Sequence, residues 1–385
     1  MNDPHADLNQ NFNSLSPAVY RGSTVVFDTL EDFVDRKQRQ PGGYSYGITG
    51  TPTARRLERD IAALEGGGYC VATPSGQSAL CTAVMGFIRG GDHLLISAAS
   101  YGALQTFARQ WLASFGVEVE IYAPDIGADI ERLIRPNTRM ICLEAPGTVT
   151  MEMPDIPAIV AAAKEHSVMT LMDNTWASPL AFKPLQAGVD LSIEAATKFF
   201  GGHSDVLLGA ISMRDHGHYE TLRETQSIMG QQASPEDCFL VLRGLETLRL
   251  RYDAQSRSAL EVAAWMQSHP QVDKVLFPPL AGDPGHAVWK RDFSPGGCLF
   301  SVILKPAPQQ AFSAFFASLK HFSIGASWGG VHSLAAFYPA AIQKGRAFSK
   351  TDQPVVRLSI GLEPTQALID DLADALRQFE RQCMG

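Results

Sequence analysis

The sequence lacks the features that mark several large classes of protein. Its six cysteines are scattered over 385 residues without a Cys-x-x-Cys pair, which argues against a disulfide framework or a zinc cluster. No apolar run reaches the about 18 residues that a membrane-spanning helix needs. The first residues are polar and lack the apolar core of a signal peptide. We therefore expect a cytoplasmic protein with no metal site and no membrane contact.

Positive charge is also scarce. The chain has 32 Lys and Arg residues against 40 Asp and Glu residues, which gives a net charge of −8. Broad binding to nucleic acid needs a basic surface that displaces phosphate counterions, so we predict no nucleic-acid partner. Neither a Gly-x-Gly-x-x-Gly fingerprint nor the Gly-Lys-Ser/Thr of a P-loop occurs, which excludes the common nucleotide-binding motifs.

Apolar residues, in contrast, are plentiful and regularly arranged. They make up 45% of the chain, enough for a large core. Short apolar runs, such as 138–146 and 168–173, alternate with helical patterns, such as 156–167, and this alternation predicts a mostly parallel sheet with helices on both faces. Two further strands, within 188–198 and 205–214, are joined by so short a link that one antiparallel pairing is compatible with it.

The pattern changes along the chain and suggests three parts. Residues 1–52 form a loose segment with one strand-like run at 23–28, residues 53–245 carry the strand-helix alternation, and residues 246–385 mix helices with a few strands. The second part reads as a large α/β domain and the third as a smaller α+β domain.

Three candidate functional positions follow predicted strands. They are the turn Ser75–Gly76–Gln77, Asp173 and Lys198, and the carboxyl ends of strands in an open parallel sheet are where ligands bind. Each has an ordinary alternative, such as a plain turn or a helix cap. Together they supply an anion cradle, a carboxylate and an amine with a lowered pKa, the set that pyridoxal 5'-phosphate (PLP) requires for its phosphate, ring nitrogen and Schiff base.

A longer pattern surrounds the lysine. Residues 190–205, DLSIEAATKFFGGHSD, resemble the PLP-lysine signature of the Cys/Met metabolism enzymes, a family of fold type I PLP-dependent proteins. Similar segments run through nearly the whole chain, among them RGSTVVFD, YGITGTPT, LEAPGTVTMEM, DNTWASPL and SWGGVHSL. The resemblance implies PLP as the cofactor and the PLP-dependent transferase (aspartate aminotransferase-like) fold, with a mostly parallel sheet and a smaller α+β carboxy-terminal domain.

The resemblance also assigns roles around the cofactor. Lys198 is implied to hold PLP and then to move the Cα proton of the substrate. Asp173 is implied to hold the ring nitrogen, and Tyr101 to stack on the ring. The residues implied to bind the phosphate are Gly76, Gln77 and Thr197.

Four more residues are assigned in the same way. Tyr46 is implied to reach the site from a neighbouring subunit, so that the segment 1–52 contacts that subunit. Ser327 is implied to position the lysine, Arg357 to bind the α-carboxylate of the substrate, and Trp328 to contact the substrate. The family implies self-association as a homotetramer of two dimers.

Within the family, the chain is most similar to cystathionine β-lyases, through PGTVTMEM, DNTWA and SWGG. That similarity implies cleavage of L-cystathionine, and of cysteine or its S-conjugates, to a thiol, pyruvate and ammonia. The thiol released from cystathionine is homocysteine. The implied step belongs to transsulfuration and methionine biosynthesis. The alternatives are a γ-acting member (a cystathionine γ-lyase or γ-synthase, a methionine γ-lyase or an O-acetylhomoserine sulfhydrylase) and, more remotely, a non-catalytic ligand-binding protein. Trp328 favours β-elimination, since γ-acting relatives more often carry Ser-Leu-Gly-Gly here.

Three positions depart from the pattern of the family. Ile48 stands two residues after Tyr46, where relatives commonly carry an arginine that reaches the phosphate across the interface. Ala195 replaces a serine that some relatives place three residues before the lysine, and His332 replaces a common glutamate. The phosphate therefore depends more on backbone N–H groups, on Thr197 or on another arginine, and we expect weaker retention of PLP than in relatives that have the arginine at position 48.

We predict that Ile48→Arg tightens the binding of PLP, because a guanidinium adds a charge-assisted contact to a dianionic phosphate. The dissociation constant of PLP, titrated by fluorescence quenching of the cofactor-free protein, is expected to fall about tenfold. Ile48→Gln, which has similar length without the charge, is the control. An unchanged dissociation constant in the arginine variant would remove Ile48 as the cause of weak retention.

Overall fold

The chain folds around two β-sheets with helices packed on them, and the computed structural model describes residues 14–383. The strands are β1 Tyr69–Thr73, β2 His93–Ser97, β3 Glu118–Tyr122, β4 Thr138–Glu144, β5 Met169–Asp173, β6 Leu191–Glu194, β7 Gly209–Met213, β8 Val272–Leu276, β9 Leu299–Leu304, β10 Ser323–Ile324, β11 Leu334–Tyr338 and β12 Val355–Ser359. The α-helices are α1 Leu30–Val34, α2 Pro52–Glu65, α3 Gly76–Phe87, α4 Gly102–Thr106, α5 Ile156–Glu165, α6 Ser178–Ala181, α7 His216–Ile228, α8 Pro235–Leu245, α9 Leu248–Ser268, α10 His286–Asp292, α11 Gln309–Ser318, α12 Ala340–Gly345 and α13 Thr365–Cys383.

The larger sheet has seven strands in the order β1-β7-β6-β5-β4-β2-β3. The pairs among β3, β2, β4, β5 and β6 are parallel, while β7 is antiparallel to both of its neighbours. The predicted mostly parallel sheet and the antiparallel pairing at 188–198 and 205–214 are both found. Strands β2, β6 and β7 are buried along their whole length, as expected when helices cover both faces of a sheet.

The smaller sheet has five strands in the order β10-β11-β12-β9-β8. It is antiparallel except for the short β10·β11 pair, and α11 and α13 pack on each other beside it. The long helix α9 lies between the two sheets in sequence and touches β8, β9 and α13. The proposed boundaries after residues 52 and 245 stay a prediction.

Three local predictions are wrong. The strand-like run at 23–28 forms no strand, because Val26 is 88% exposed and β propensity alone provides no partner. The pattern of residues 101–116 predicts one helix, but only α4 is α-helical, and a π-helical turn at Phe107–Trp111 and a 3₁₀ turn at Leu112–Phe115 follow it. The pattern of residues 235–250 predicts a further single helix, but α8 ends at Leu245, and α9 starts anew at Leu248.

Two negative findings apply to residues 14–383. No helix in that range combines the length and the apolar composition required to cross a bilayer. The same range contains no cluster of three or more His, Cys, Asp or Glu side chains suited to a metal ion.

A buried ionic network attaches α2 to β1, the edge strand that leads to the turn at Gly76. Glu58 accepts hydrogen bonds from Arg223 Nη2 and Arg55 Nη1, both at 2.8 Å, and from the backbone N–H of Ala72 at 3.0 Å. Gln226 Nε2 donates to the carbonyl of Ala72 at 2.6 Å. Side chains therefore saturate both backbone groups of Ala72, which protects this edge from pairing with another chain.

We predict that Glu58→Gln lowers the free energy of unfolding by about 3 kcal/mol, because it leaves a buried guanidinium without its counter-charge. Arg223, the partner that loses its charge pair, is 2% exposed. Chemical denaturation at constant protein concentration measures the change. The control is Asp60→Asn on the same helix, which breaks the solvent-exposed pair with Arg56 and is expected to change stability by less than about 1 kcal/mol. Equal effects of both substitutions would contradict the prediction.

Candidate active site

Lys198 lies just past the carboxyl end of β6, in a turn that its own backbone N–H closes onto the carbonyl of Ala195 at 2.9 Å. Its Nζ donates to Ser327 Oγ at 2.8 Å and lies 5.5 Å from the centroid of the Trp328 ring. The pKa of Lys198 is lowered to about 8, first by burial and then by the positive charge of Arg357, while Asp173 opposes both effects. The lysine is thus nucleophilic much nearer to neutral pH than a solvated lysine is.

The segment that follows Ser327 approaches the lysine through a glycine. Gly329 has φ +81°, and a Cβ there would lie 3.2 Å from Lys198 Cβ and 3.3 Å from the backbone nitrogen of Phe199. Both the left-handed backbone and the close approach favour glycine at this position. The backbone of the carboxy-terminal part of the chain therefore packs directly against the lysine turn.

Asp173 ends β5, beside β6. Its Oδ1 accepts hydrogen bonds from the backbone N–H of Thr175 at 3.0 Å and from Thr175 Oγ1 at 2.6 Å, and Oδ2 accepts none from residues 14–383. Burial raises the pKa of Asp173, while Thr175 and the positive charge of Lys198 oppose that rise. One oxygen is thus fixed in place, and the other is available to a cationic partner.

Helix α3 begins at the predicted anion cradle. Ser75 Oγ caps the helix by accepting from the backbone N–H of Ser78 at 3.0 Å, and the first backbone bond inside the helix is donated by Ala79 to the carbonyl of Ser75 at 2.9 Å. The N–H groups of Gly76 and Gln77 are thus free of intrahelical partners. A Cβ on Gly76 would lie 2.6 Å from Ala195 Cβ, so glycine keeps this approach open.

The side-chain donors of two predicted phosphate ligands are both engaged within the chain. Gln77 Oε1 is buried without a hydrogen-bond partner in the described chain, while its Nε2 donates to the carbonyl of Ala103 at 3.3 Å. Thr197 Oγ1 donates to the carbonyl of Leu208 at 3.2 Å and accepts from the N–H of Leu208 at 3.0 Å. The only hydroxyl hydrogen of Thr197 is therefore in use, and its contact with a phosphate stays a prediction.

Arg357 lies in β12 and is 5% exposed. Its Nη2 donates to the carbonyl of Ala326 at 2.9 Å, and its guanidinium lies 5.2 Å from the centroid of the Tyr338 ring. Burial lowers the pKa of Arg357, and Tyr338, Tyr101 and Glu144 oppose this effect. Because its remaining N–H groups donate to no residue within 14–383, the fork is open to an anionic group such as a carboxylate.

Sequence reasoning missed Glu144. It ends β4 directly opposite Asp173 in the sheet register, and its Oε2 accepts the backbone N–H of Tyr101 at 2.6 Å. Burial and the charge of Asp173 raise the pKa of Glu144 well above its usual range. The strand-end rule that selected Asp173 applies equally to Glu144 and would have found it.

Tyr46 does not join the other predicted residues within one chain. It is 55% exposed and lines a surface depression of about 390 Å³ together with Ile48, Arg21 and the segment 232–236, and none of the other predicted site residues lines this depression. His332 is also exposed, and nothing in the structure explains its place in the pattern.

The remaining predicted residues form a set that fits PLP. Backbone N–H groups without intrahelical partners lie at the start of α3, a carboxylate with one free oxygen ends β5, and a partly buried lysine with a lowered pKa follows β6. These are the three kinds of group that the phosphate, ring nitrogen and aldehyde of PLP need.

The sequence and the fold were compared with known proteins. Residues 3–377 match the family described as Cys/Met metabolism PLP-dependent enzyme. The chain is 42% identical to a putative cystathionine β-lyase of Rhizobium johnstonii, over 95% of this chain and 90% of the relative. It is 38% identical to the cystathionine β-lyase of Escherichia coli, over 93% and 92%. The cystathionine γ-synthase structure from Xanthomonas oryzae pv. oryzae matches with a TM-score of 0.88 and 28% identity, over 97% and 95%.

We predict that Lys198 of the cofactor-free protein reacts with an amine reagent half-maximally near pH 8, because burial and Arg357 disfavour its charged form. Exposed Lys320 serves as an internal control, a lysine that burial does not affect. Competitive labelling followed by peptide mass spectrometry measures both. Arg357→Met is expected to move the Lys198 midpoint upward, since it removes a neighbouring positive charge. Identical midpoints for Lys198 and Lys320 would contradict this account.

Proposed function

Because the chain belongs to the family of Cys/Met metabolism PLP-dependent enzymes, we propose that it breaks the Cβ–S bond of L-cystathionine and releases homocysteine, pyruvate and ammonia. Membership confirms the predicted family, and with it PLP as the cofactor and the fold class. The observation that carries the proposal is the lowered pKa of Lys198 beside Ser327 and Arg357. The names of the relatives from Rhizobium johnstonii and Escherichia coli support the β-lyase activity and its substrate.

PLP, when bound, supplies an aldehyde for the amine of the substrate and a ring that accepts electrons from Cα. Lys198 would hold the aldehyde carbon, and the free Oδ2 of Asp173 would hold the ring nitrogen. Gly76 and Gln77 would hold the phosphate through the N–H groups at the start of α3. Tyr101 would stack on the ring, at a position that its hydrogen bond to Glu144 fixes.

Lys198 is also suited to move the Cα proton. With a pKa of about 8, about one molecule in ten carries the neutral amine at pH 7, compared with less than about one in a thousand for an ordinary lysine. Ser327 Oγ accepts a hydrogen from Nζ and so orients the amine. A base that is partly neutral at the working pH is what proton abstraction requires.

Arg357 would bind the α-carboxylate of the substrate. A planar guanidinium offers two parallel N–H groups to a carboxylate. The hydrogen bond from Arg357 to the carbonyl of Ala326 holds the guanidinium next to the segment that carries Ser327. Trp328 packs edge-on against Phe199, with ring centroids 5.6 Å apart, and would close the substrate pocket beside the lysine.

A γ-acting function remains the second candidate, and the similarity in fold to a cystathionine γ-synthase favours keeping it. β-elimination needs removal of one proton, at Cα, whereas γ-chemistry also needs removal of a proton at Cβ. Outside Lys198, the site provides no further amine or imidazole among the residues assigned to it. This supports the β-reaction, for which one base is sufficient.

The proposal includes a neighbouring subunit that completes each site with Tyr46. This part of the proposal is supported by the amino-terminal segment, where apolar side chains are exposed to solvent in the single chain. The exposed members are Leu15, Val19, Tyr20, Val26, Leu30, Phe33 and Val34. An apolar patch of this kind is typical of an interface. We propose that this segment packs on a second copy of the chain within a homotetramer, and that the enzyme works in the cytoplasm.

We predict that incubation with L-cystathionine produces pyruvate and homocysteine in equal amounts, whereas 2-oxobutyrate is the product expected from γ-cleavage. L-Cysteine and L-methionine are tested in parallel, with both keto acids separated by chromatography. Lys198→Ala is expected to abolish turnover, because no other group in the site takes the Cα proton, while Lys320→Ala leaves it unchanged. Predominant 2-oxobutyrate, or an active Lys198→Ala enzyme, would overturn the proposed β-lyase.

A further inference from the structure

Two glutamates meet in the interior behind the site. Glu65 is the last residue of α2, Glu194 is the last residue of β6, and their side chains are 0% and 2% exposed. Ser192 Oγ donates to Glu65 at 3.0 Å, and Glu194 lies two residues further along the same face of β6, so the two carboxyl groups are neighbours. Two neighbouring buried carboxylates repel each other, which favours at least one proton on the pair.

The surroundings of the acid pair offer little to neutralise two negative charges. Ser192 Oγ donates to Glu65 at 3.0 Å, and Asn174 Nδ2 donates to Glu194 at 3.1 Å. Within residues 14–383 neither glutamate forms a salt bridge to a lysine, arginine or histidine. Glu65 Oε1 is buried and has no hydrogen-bond partner within that range.

The titratable groups that face the pair come from four elements or their ends. They are Cys70 of β1, Asp173 of β5, Lys183 after α6 and Tyr252 of α9. Lys183 is the only one that favours ionisation, whereas burial raises the pKa of Glu65 to about 7 and that of Glu194 well above its usual range. The interior therefore favours the protonated forms.

Asn174 connects the acid pair to the site. It directly follows Asp173, its backbone N–H donates to the carbonyl of Ile193 at 2.9 Å, and its side chain bridges Glu194 and the carbonyl of Phe182, the latter at 3.0 Å. Ala195, which follows Glu194, donates its N–H to Thr175 Oγ1 at 2.9 Å. The hydroxyl of Thr175 in turn donates to Asp173. The ends of β5 and β6 are thus joined by side-chain bonds on both sides of Asp173.

We propose that Glu65 and Glu194 share a proton inside the protein and that this acid pair, through Asn174, positions Asp173 for its contact with the cofactor. The positioning half of the proposal rests on the proposed function, since it concerns PLP. The shared proton does not, because it exists in the protein with or without the cofactor.

A shared proton gives the stability of the fold a definite dependence on pH. The native pair keeps its protons to a higher pH than the unfolded chain does, in which glutamate titrates near 4.5. When the native state binds more protons, stability falls as pH rises. The stability that the retained protons contribute is therefore complete below pH 4.5 and is lost as pH rises toward and beyond 7. Each retained proton changes the folding equilibrium constant about tenfold per pH unit.

The first experiment measures equilibrium unfolding of the full-length, cofactor-free protein between about pH 5 and 7, below the midpoint expected for the pair, at fixed protein concentration. In Glu194→Gln, the amide donates a hydrogen to Glu65 but carries no proton that titrates. The slope of log K for folding against pH is therefore expected to be less steep than in wild type by about one proton. Exposed Glu165→Gln is the matched control and should keep the wild-type slope. Equal slopes in wild type and Glu194→Gln, or an equal loss of slope in Glu165→Gln, would overturn the shared proton.

The second experiment measures the dissociation constant of PLP by titration of the cofactor-free variants. Glu194→Leu removes the acceptor of Asn174 and is expected to raise the constant at least about tenfold, the effect of one lost buried hydrogen bond. Glu194→Gln keeps an acceptor oxygen and is expected to stay within about threefold of wild type. Asn174→Ala removes the hydrogen bond from Asn174 to Glu194 but leaves both glutamates in place. It should weaken the binding of PLP and keep the wild-type pH slope of the folding equilibrium. This variant decides the question if Glu194→Leu does not fold.

Wild-type binding of PLP in Asn174→Ala, or in a folded Glu194→Leu protein, would overturn the positioning role. A wild-type protein that takes up no PLP would overturn the proposed function together with the positioning role. The pH slopes still decide the shared proton in that case, so the two failures are distinguishable.

Discussion

The removal of one lysine from water is the constraint on which the site depends. Burial and a neighbouring guanidinium bring the pKa of Lys198 to about 8, and every other assigned group has to tolerate that buried amine. Ser327 accepts its hydrogen, Gly329 allows the backbone to approach it, and Asp173 supplies a partly compensating charge. The fold stabilises a group that would otherwise prefer solvent, and the large apolar core makes this possible.

The parallel sheet determines where charges accumulate. Because β4, β5 and β6 run in the same direction, their ends bring Glu144, Asp173 and Glu194 to one edge. Three buried carboxyl groups at one edge repel one another, and burial raises the pKa of each. Thr175 donates to Asp173 twice and Lys198 lies nearby, and both oppose the rise of its pKa. The middle strand thus carries a carboxyl group whose negative charge has donors and a cation to stabilise it.

Sequence reasoning found the groups whose chemistry is local. The strand-helix alternation predicted the larger sheet, and the strand-end positions of Lys198, Asp173 and Gly76 predicted the core of the site. It did not find Glu144, whose contact with Tyr101 spans 43 residues, nor the pairing of Glu65 with Glu194, which lie on different elements. The phosphate contact assigned to Thr197 stays a prediction, and in the structure Leu208, eleven residues away, uses the hydroxyl hydrogen. Such contacts depend on tertiary packing, which periodicity does not encode.

The distance along the chain between Lys198 and Ser327 has a consequence for biosynthesis. The two residues are 129 positions apart, and Arg357 follows still later. A nascent chain that has just exposed Lys198 therefore presents an ordinary, solvated and protonated amine. The lysine becomes reactive only after the carboxy-terminal sheet has been synthesised and has packed against it. The nucleophilic amine is thus a property of the completed chain and not of the segment that carries the lysine.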